Sequence, residues 1–359
     1  MNNNRGKQKY DKLIVYYFSG TGNAKNAAKW IAQFATNNGI SSIVVSIDNK
    51  PLIEIQDESK KTLIGFCFPT HGFNVSPKML KFIAGFPRKL NSDVFILNTR
   101  AGMKLSKLFI PGLSGIAQFL PALILLTKSY RIVGMQPLDL PSNWISLHPG
   151  LRPKVVKSIY ERCEKITYRF AEKLLNGKHV YKAFYSLPFD ILISPISVLY
   201  YFIGRFVLAK TFIANNDCTS CDLCANNCPT NSIEMYNGKP FWKFTCESCM
   251  RCMNNCPKRA IQTAHLYSFF IWYIFGGLVT GIAFNYFFNK NFSTHFLPTG
   301  VFKILIYDIF QIISVFVGIY FAYKLLNFLL RYKIFNKFIN YTSLTYYSFW
   351  RRYKPPKNF

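Results

Sequence analysis

The sequence predicts a doubly wound α/β domain with a parallel five-stranded sheet, then a small α+β domain, then two C-terminal transmembrane helices. Three observations carry this. Short apolar runs bounded by turn residues alternate with helical stretches from Lys12 to about Asn176. Eight of the ten cysteines are packed between Cys218 and Cys256. Beyond them the chain turns strongly apolar, with two runs long enough to cross a bilayer.

The strands expected in the first region (12–176) are Leu13–Phe18, Ile43–Ile47, Leu63–Phe68, Val94–Leu97 and Ile132–Met135. Each is short and continuously apolar, as strands covered on both faces are. Helices are expected to begin near Asn23, Pro77 and Leu113. A last one, from Pro153 to Asn176, sets Val156, Ile159, Cys163, Ile166, Phe170 and Leu174 on one stripe, with Gly177 as its stop. Cys163 on that stripe and Cys67 inside a strand are read as core residues. The run Leu108 to Thr127 is uncharged, but Pro111, Gly112, Gly115 and Pro121 break it. It is read as a domain helix with an apolar loop.

Segment 184–212 is apolar but interrupted by Pro188, Asp190, Pro195, Gly204 and Arg205. Its longest uncharged run, Ile191 to Gly204, falls short of the roughly 20 residues a span needs. An interfacial or docking segment is expected there. The hairpin, 266–330, is expected to cross as Leu266 to Phe288 and Ile304 to Tyr323, joined by a polar link over Asn289 to Lys303. Gly277 and Gly281 are candidates for close packing within it. The tail, 331–359, carries Arg331, Lys333, Lys337, Arg351, Arg352, Lys354 and Lys357 without an acidic residue. By the positive-inside rule it stays in the cytoplasm.

A formal charge of +28, from 44 Lys and Arg against 16 Asp and Glu, calls for an anionic partner. No zinc finger or RNP-type aromatic motif is present, so the expected partner is a membrane and not nucleic acid. Met1 to Asp11 is polar and lacks an apolar signal region. The expected location is therefore a membrane, with the folded domains on its cytoplasmic side.

The cysteine block (214–265) reads Cys218-x2-Cys221-x2-Cys224-x3-Cys228-Pro229, and every cysteine recurs 28 residues later in Cys246-x2-Cys249-x2-Cys252-x3-Cys256-Pro257. Three thiolates two residues apart can wrap three irons of a 4Fe-4S cubane, while the fourth, followed by proline, reaches the other cluster. On that logic Cys218, Cys221, Cys224 and Cys256 hold one cluster, and Cys246, Cys249, Cys252 and Cys228 the other. Zinc is the alternative, although structural zinc sites pair two ligands with two others across a spacer. The block resembles bacterial two-cluster ferredoxins over roughly Ala214 to His265, which implies a one-electron carrier at low potential. Lys243, Lys258 and Arg259 either offset cluster charge or form a solvated face.

Straight after the first strand stands Ser19-Gly20-Thr21-Gly22-Asn23-Ala24, opening a helix. Its backbone N–H groups and hydroxyls suit a phosphate. The third glycine of a dinucleotide fingerprint is missing, as is the Walker lysine, so a monophosphate is favoured. The loop resembles that of flavodoxins, and the order of elements agrees with a flavodoxin-like fold. That resemblance implies FMN, its phosphate held by Ser19, Gly20, Thr21, Gly22 and Asn23. It further implies that Pro69, Thr70, His71 and Gly72, with Thr99, Arg100, Ala101 and Gly102, flank the ring, and that the Pro141-Ser142-Asn143-Trp144 loop adds a contact through Asn143. The ring-stacking tyrosine of that family is not evident; His71, Phe73 or Trp144 would replace it.

As a whole the chain is similar to fused flavodoxin-ferredoxin proteins with an added hairpin. The expected function is electron transfer between FMN, two 4Fe-4S clusters and an external redox protein or quinone. A flavin-dependent reductase of a small molecule such as a quinone, and a membrane redox sensor or scaffold, are the alternatives. No catalytic residue is singled out.

Overall fold

The computed structural model describes residues 9–48, 61–88, 92–286 and 301–356. In chain order the first domain runs β1 (Lys12–Tyr17), α1 (Asn23–Asn37), β2 (Ser41–Ser46), β3 (Thr62–His71), α2 (Pro77–Gly85), β4 (Asp93–Leu105), α3 (Phe119–Thr127), β5 (Arg131–Pro141) and α4 (Pro153–Leu175). The five strands are parallel in the order β2-β1-β3-β4-β5. This is the flavodoxin-like doubly wound topology, whose ligand crevice lies beyond the C-terminal ends of the strands. Helices α1 and α4 cover one face of the sheet, α2 and α3 the other. Each fully buried Leu, Ile or Phe in these layers contributes about 1.5–3 kcal/mol.

All five expected strands are present. Those nearest the crevice extend beyond their apolar runs, because pairing between β4 and β5 continues through Gly102 and Pro141. Helix α4 buries Val156, Ile159, Cys163, Phe170 and Leu174, and Cys67 is fully buried in β3. Where the sequence suggested a helix from Leu113, the helix begins instead at Phe119. Gly115 explains the delay: its φ is +54° and a side chain there would meet the Phe73 carbonyl oxygen at 2.4 Å, so residues 115–118 form a turn ahead of the helix.

The cysteine domain has an internal pseudo-symmetry that follows the sequence repeat. Short helices Leu223–Asn226 and Arg251–Asn255 begin 28 residues apart. So do the left-handed residues Ser220 and Ser248, Asp222 and Met250, Asn231 and Arg259. Strand Phe212–Ala214 pairs with Ile261–Thr263, and Ile233–Tyr236 with Lys239–Trp242, both antiparallel. Trp242, Met250, Met253 and Ile261 belong to the same apolar core as α1 and α4, so the two domains share one interior.

Among the described residues, three helices are long and apolar enough to cross a membrane: Lys182–Ala209, His265–Phe284 and Ile304–Leu329. The first corrects the expectation of an interrupted segment. Pro188 falls in the opening turn of its α-helical stretch, Leu187–Leu199, where no N–H is needed, and the backbone continues through Pro195 into a π-helical turn at Tyr200–Gly204. One face is pinned to the first domain. Buried Asp190 accepts hydrogen bonds from the N–H groups of Ser114 (2.7 Å) and Gly115 (2.8 Å), and Ser197 donates to the Phe73 carbonyl (2.8 Å). The other face exposes Phe189, Ile191, Leu192, Ile196, Leu199 and Phe202.

The last two helices pack on each other, but not at the expected pair of glycines. A side chain added at Gly277 or Gly281 would meet nothing within 4 Å, whereas one at Gly318 would strike the Phe275 ring at 2.2 Å. Gln311 donates to the Gly276 carbonyl (2.6 Å) and Ser314 to that of Phe275 (3.0 Å). Close approach is thus built on Gly276 and Gly318. The expected link between the helices lies largely outside the described residues.

The C-terminal segment is not a free basic tail. After helix Lys333–Tyr341 it folds back across both domains. Trp350 Nε1 donates to the Ile145 carbonyl (2.6 Å), Gly150 N–H donates to the Arg351 carbonyl (2.9 Å), and the N–H of buried Tyr353 donates to Asn254 Oδ1 (2.7 Å). Its aromatic residues supply the burial, while its cations hid that in the sequence.

Candidate functional site

The loop after β1 turns through Gly22, whose φ of +109° only glycine adopts cheaply, and enters a fifteen-residue helix with no acidic residue in its first turn. That favours an anion. Ser19 Oγ accepts the Gly22 N–H (3.0 Å) and closes the loop. Beside it opens a cleft of about 320 Å³. Of the residues expected there, Ser19, Gly20, Thr21, Asn23, Pro69, Thr70, Gly72, Thr99, Arg100, Ala101 and Asn143 line it, as do Phe73, Ser142 and Trp144.

Three expected residues do not. Gly22 serves as the helix cap under Pro355. Gly102 allows β4 to approach β5, where a side chain would meet the Asp139 carbonyl oxygen at 2.4 Å. His71 is buried between the rings of Phe18 and Trp144 (both 6.2 Å), and burial lowers its pKa to about 4, so it is neutral at physiological pH. Asn23 reaches the cleft with its side chain already engaged: Nδ2 donates to the Pro141 carbonyl (2.8 Å), and Oδ1 accepts from Tyr160 (2.7 Å) and Tyr353. The aromatic wall is Trp144, backed by Tyr200 at 5.3 Å. Tyr200 comes from the helix Lys182–Ala209 and lies so close over Gly72 that a side chain there would sit 2.1 Å from its ring. No pattern among the residues signals that contact.

In the cysteine domain, Cys218, Cys221, Cys224 and Cys256 line one open cavity of about 160 Å³, and Cys252 lines it with them. Five cysteines around one cavity exceed the four ligands of a structural zinc ion. The charge of Cys252 is also felt with those of Cys246, Cys249 and Cys228. The two groups of cysteines therefore adjoin, with Cys252 between them. Ser232 N–H and Ala260 N–H, again 28 residues apart, each donate to a cysteine sulfur, Cys228 and Cys256, at 3.3 Å. Burial pushes the Cys249 thiol up to about 12 and raises Cys246 and Cys252 too. Only a cationic metal core would make thiolates of them, and the donor set fits one.

The cleft and the cysteine domain meet at the loop after β1. Gly20 packs so tightly against Cys249 that a Cβ would lie 2.3 Å from its carbonyl oxygen. Arg251, two residues on, donates to the carbonyls of Gly20 (Nε, 3.0 Å) and Ser19 (Nη2, 2.5 Å) and pairs with Asp48 (2.7 Å). Asn143 Nδ2 donates to Thr21 Oγ1 (2.8 Å) and reaches the Cys249 carbonyl at 3.5 Å. Sequence reasoning missed Arg251, since an arginine inside a cysteine spacer reads as solvated. Of the cations it did flag, Lys243 pairs with Glu234 (2.9 Å), Lys258 lines the cavity of the first quartet, and Arg259 holds tail carbonyls at Tyr347 and Trp350 (both 3.3 Å). Unflagged Lys210 is 2 % exposed, over the rings of Phe241, Phe244 and Tyr323. Burial lowers its pKa to about 8, and Cys246 partly restores it.

Residues 217–261 match the family model of a 4Fe-4S dicluster domain. Among solved structures, a flavodoxin from the domain Archaea shares 18% identity, covering 45% of this chain and 97% of its own, at a TM-score of 0.30. Oxidised flavodoxin 1 from Bacillus cereus shares 17% over the same proportions, also at 0.30. At such scores the flavodoxin-like assignment rests on the strand order alone. No curated protein matches. The chain thus joins a flavodoxin-like sheet to a stretch that matches a 4Fe-4S dicluster domain.

Proposed function

We propose that this chain passes electrons between FMN in the cleft beyond β1, β3, β4 and β5 and two 4Fe-4S clusters on the interleaved quartets, exchanging with an external redox protein or quinone beside a membrane. The observation that carries this is the contact of Gly20 with Cys249, which joins the phosphate loop to a cluster ligand without an intervening side chain. When bound, FMN supplies two-electron chemistry that cubanes divide into single electrons. The chain's own residues fix the geometry: Arg251 and Asn143 clamp loop and ligand together, and Trp144 forms the ring wall. The quartet of Cys228, Cys246, Cys249 and Cys252 is accordingly proximal to the flavin. The other quartet, with exposed Cys221, faces outward and is the exchange point.

The hairpin anchors this unit. Tyr323, Leu326 and Leu330 form one core with Ile213, Ala264 and Ile339, so the cluster domain sits directly on the ends of the two spans. Helix Lys182–Ala209 lies along the bilayer surface instead of through it, since both its ends and one face belong to the same folded body. The basic tail favours the cytoplasmic side.

Anaerobic purification from washed membranes tests the reading. About eight iron and eight sulfide per chain, for two cubanes, are expected with one FMN. The protein is expected to remain in the pellet after alkaline carbonate washing, and to do so equally in a Leu192→Glu, Leu199→Glu variant. Zinc in place of iron and sulfide, or release by carbonate, would overturn it; loss of integration in the variant would show that its helix spans.

A further inference from the structure

The tail that folds back over both domains places one charge where the two quartets interlock. Arg352 is largely buried, and only its Nη2 is satisfied by the protein, donating to the carbonyls of Ile261 (2.6 Å) and Arg259 (3.2 Å) and to Gln262 Oε1 (3.2 Å). Its Nε and Nη1 are buried with no hydrogen-bond partner among the described residues. Two buried guanidinium nitrogens left without acceptors are costly unless a further group completes them. The cysteines whose charge bears on it are Cys256 and Cys252. Under the interleaved assignment these belong to different clusters.

We propose that Arg352 is a positioning residue shared by both clusters, its Nε–H and Nη1–H donating to cluster or thiolate sulfur and its charge stabilising the reduced state. This rests on the cluster assignment above. Hydrogen bonds to sulfur and net local charge are the levers by which a protein sets cubane potentials. Arginine suits the role because its guanidinium carries a permanent charge and presents several donors in a fixed plane. The surrounding contacts hold it in place. Trp350 and Tyr353 on either side are bonded to Ile145 and Asn254, and Arg351 reaches Gly150 through its carbonyl alone. The segment that follows the membrane helices thereby reaches the redox centres.

The test is an EPR-monitored redox titration of full-length, anaerobically purified protein, with iron and sulfide measured on every sample. In Arg352→Gln the reduced-to-oxidised ratio at a fixed potential is expected to fall about tenfold, equivalent to about 59 mV for one electron. Arg352→Lys keeps the charge but not the paired donors, and is expected to fall about threefold. Arg351→Gln is expected to titrate as the parent. Parental titration of both Arg352 variants with full clusters would overturn the proposal. Should the glutamine variant fail to retain clusters, parental behaviour of the lysine variant alone overturns it. An absence of iron and sulfide in the unaltered protein would instead defeat the cluster assignment.

Discussion

Gly20→Ala is expected to weaken flavin binding at least tenfold and to lower stability by about 1–3 kcal/mol, the cost of overpacking a well-filled interior. The added methyl would sit 2.3 Å from the Cys249 carbonyl oxygen and 3.1 Å from its Cβ. Neither atom belongs to a flexible side-chain end, so relief requires the phosphate loop or the cluster ligand itself to move. Arg251 resists this, because it holds the Ser19 and Gly20 carbonyls from the cysteine side. Gly85→Ala is the control, since a side chain there meets nothing within 4 Å. Flavin titration by fluorescence quenching and thermal unfolding measure both effects. Equal behaviour of the two variants would show that the junction is loose.

The second large effect separates the quartets. Cys249→Ser is expected to halve the iron content, from about eight to about four per chain, and to slow electron exchange with flavin at least tenfold. Cys221→Ser, at the exposed quartet, is expected to lose as much iron while leaving exchange between flavin and the remaining cluster intact. Iron analysis and flash photoreduction distinguish them. The same slowing in both variants would contradict the proximal and distal assignment.

Much of this architecture could be read from residues alone, because its determinants are local. Buried parallel strands announce themselves as apolar runs, and cubane ligation imposes a fixed cysteine spacing whose 28-residue repeat recurs in backbone φ angles at Ser220 and Ser248. The cleft was legible in outline for the same reason: Thr70, Thr99 and Asn143 follow the apolar runs of the expected strands, and doubly wound sheets put ligands there. What escaped depends on tertiary contact. Pro188 and Pro195 look like helix breakers until one is seen in the first turn and the other on a helix held by Asp190. His71 carries the chemistry of a ligand neighbour but lies behind the cleft wall, and no pattern in sequence tells a loop's lining from its underside. The tail's cations suggested solvent, yet Trp350 and Tyr353 between them decide its path.

The central claim, that flavin and clusters exchange electrons within one chain, is tested most directly by flash reduction of the loaded protein with a low-potential photoreductant, following flavin absorbance and cluster EPR together. Flavin bleaching is expected to coincide with reoxidation of the clusters, at a first-order rate independent of protein concentration. Bleaching whose rate rises in proportion to protein concentration, or clusters that stay reduced beside an oxidised flavin, would contradict it.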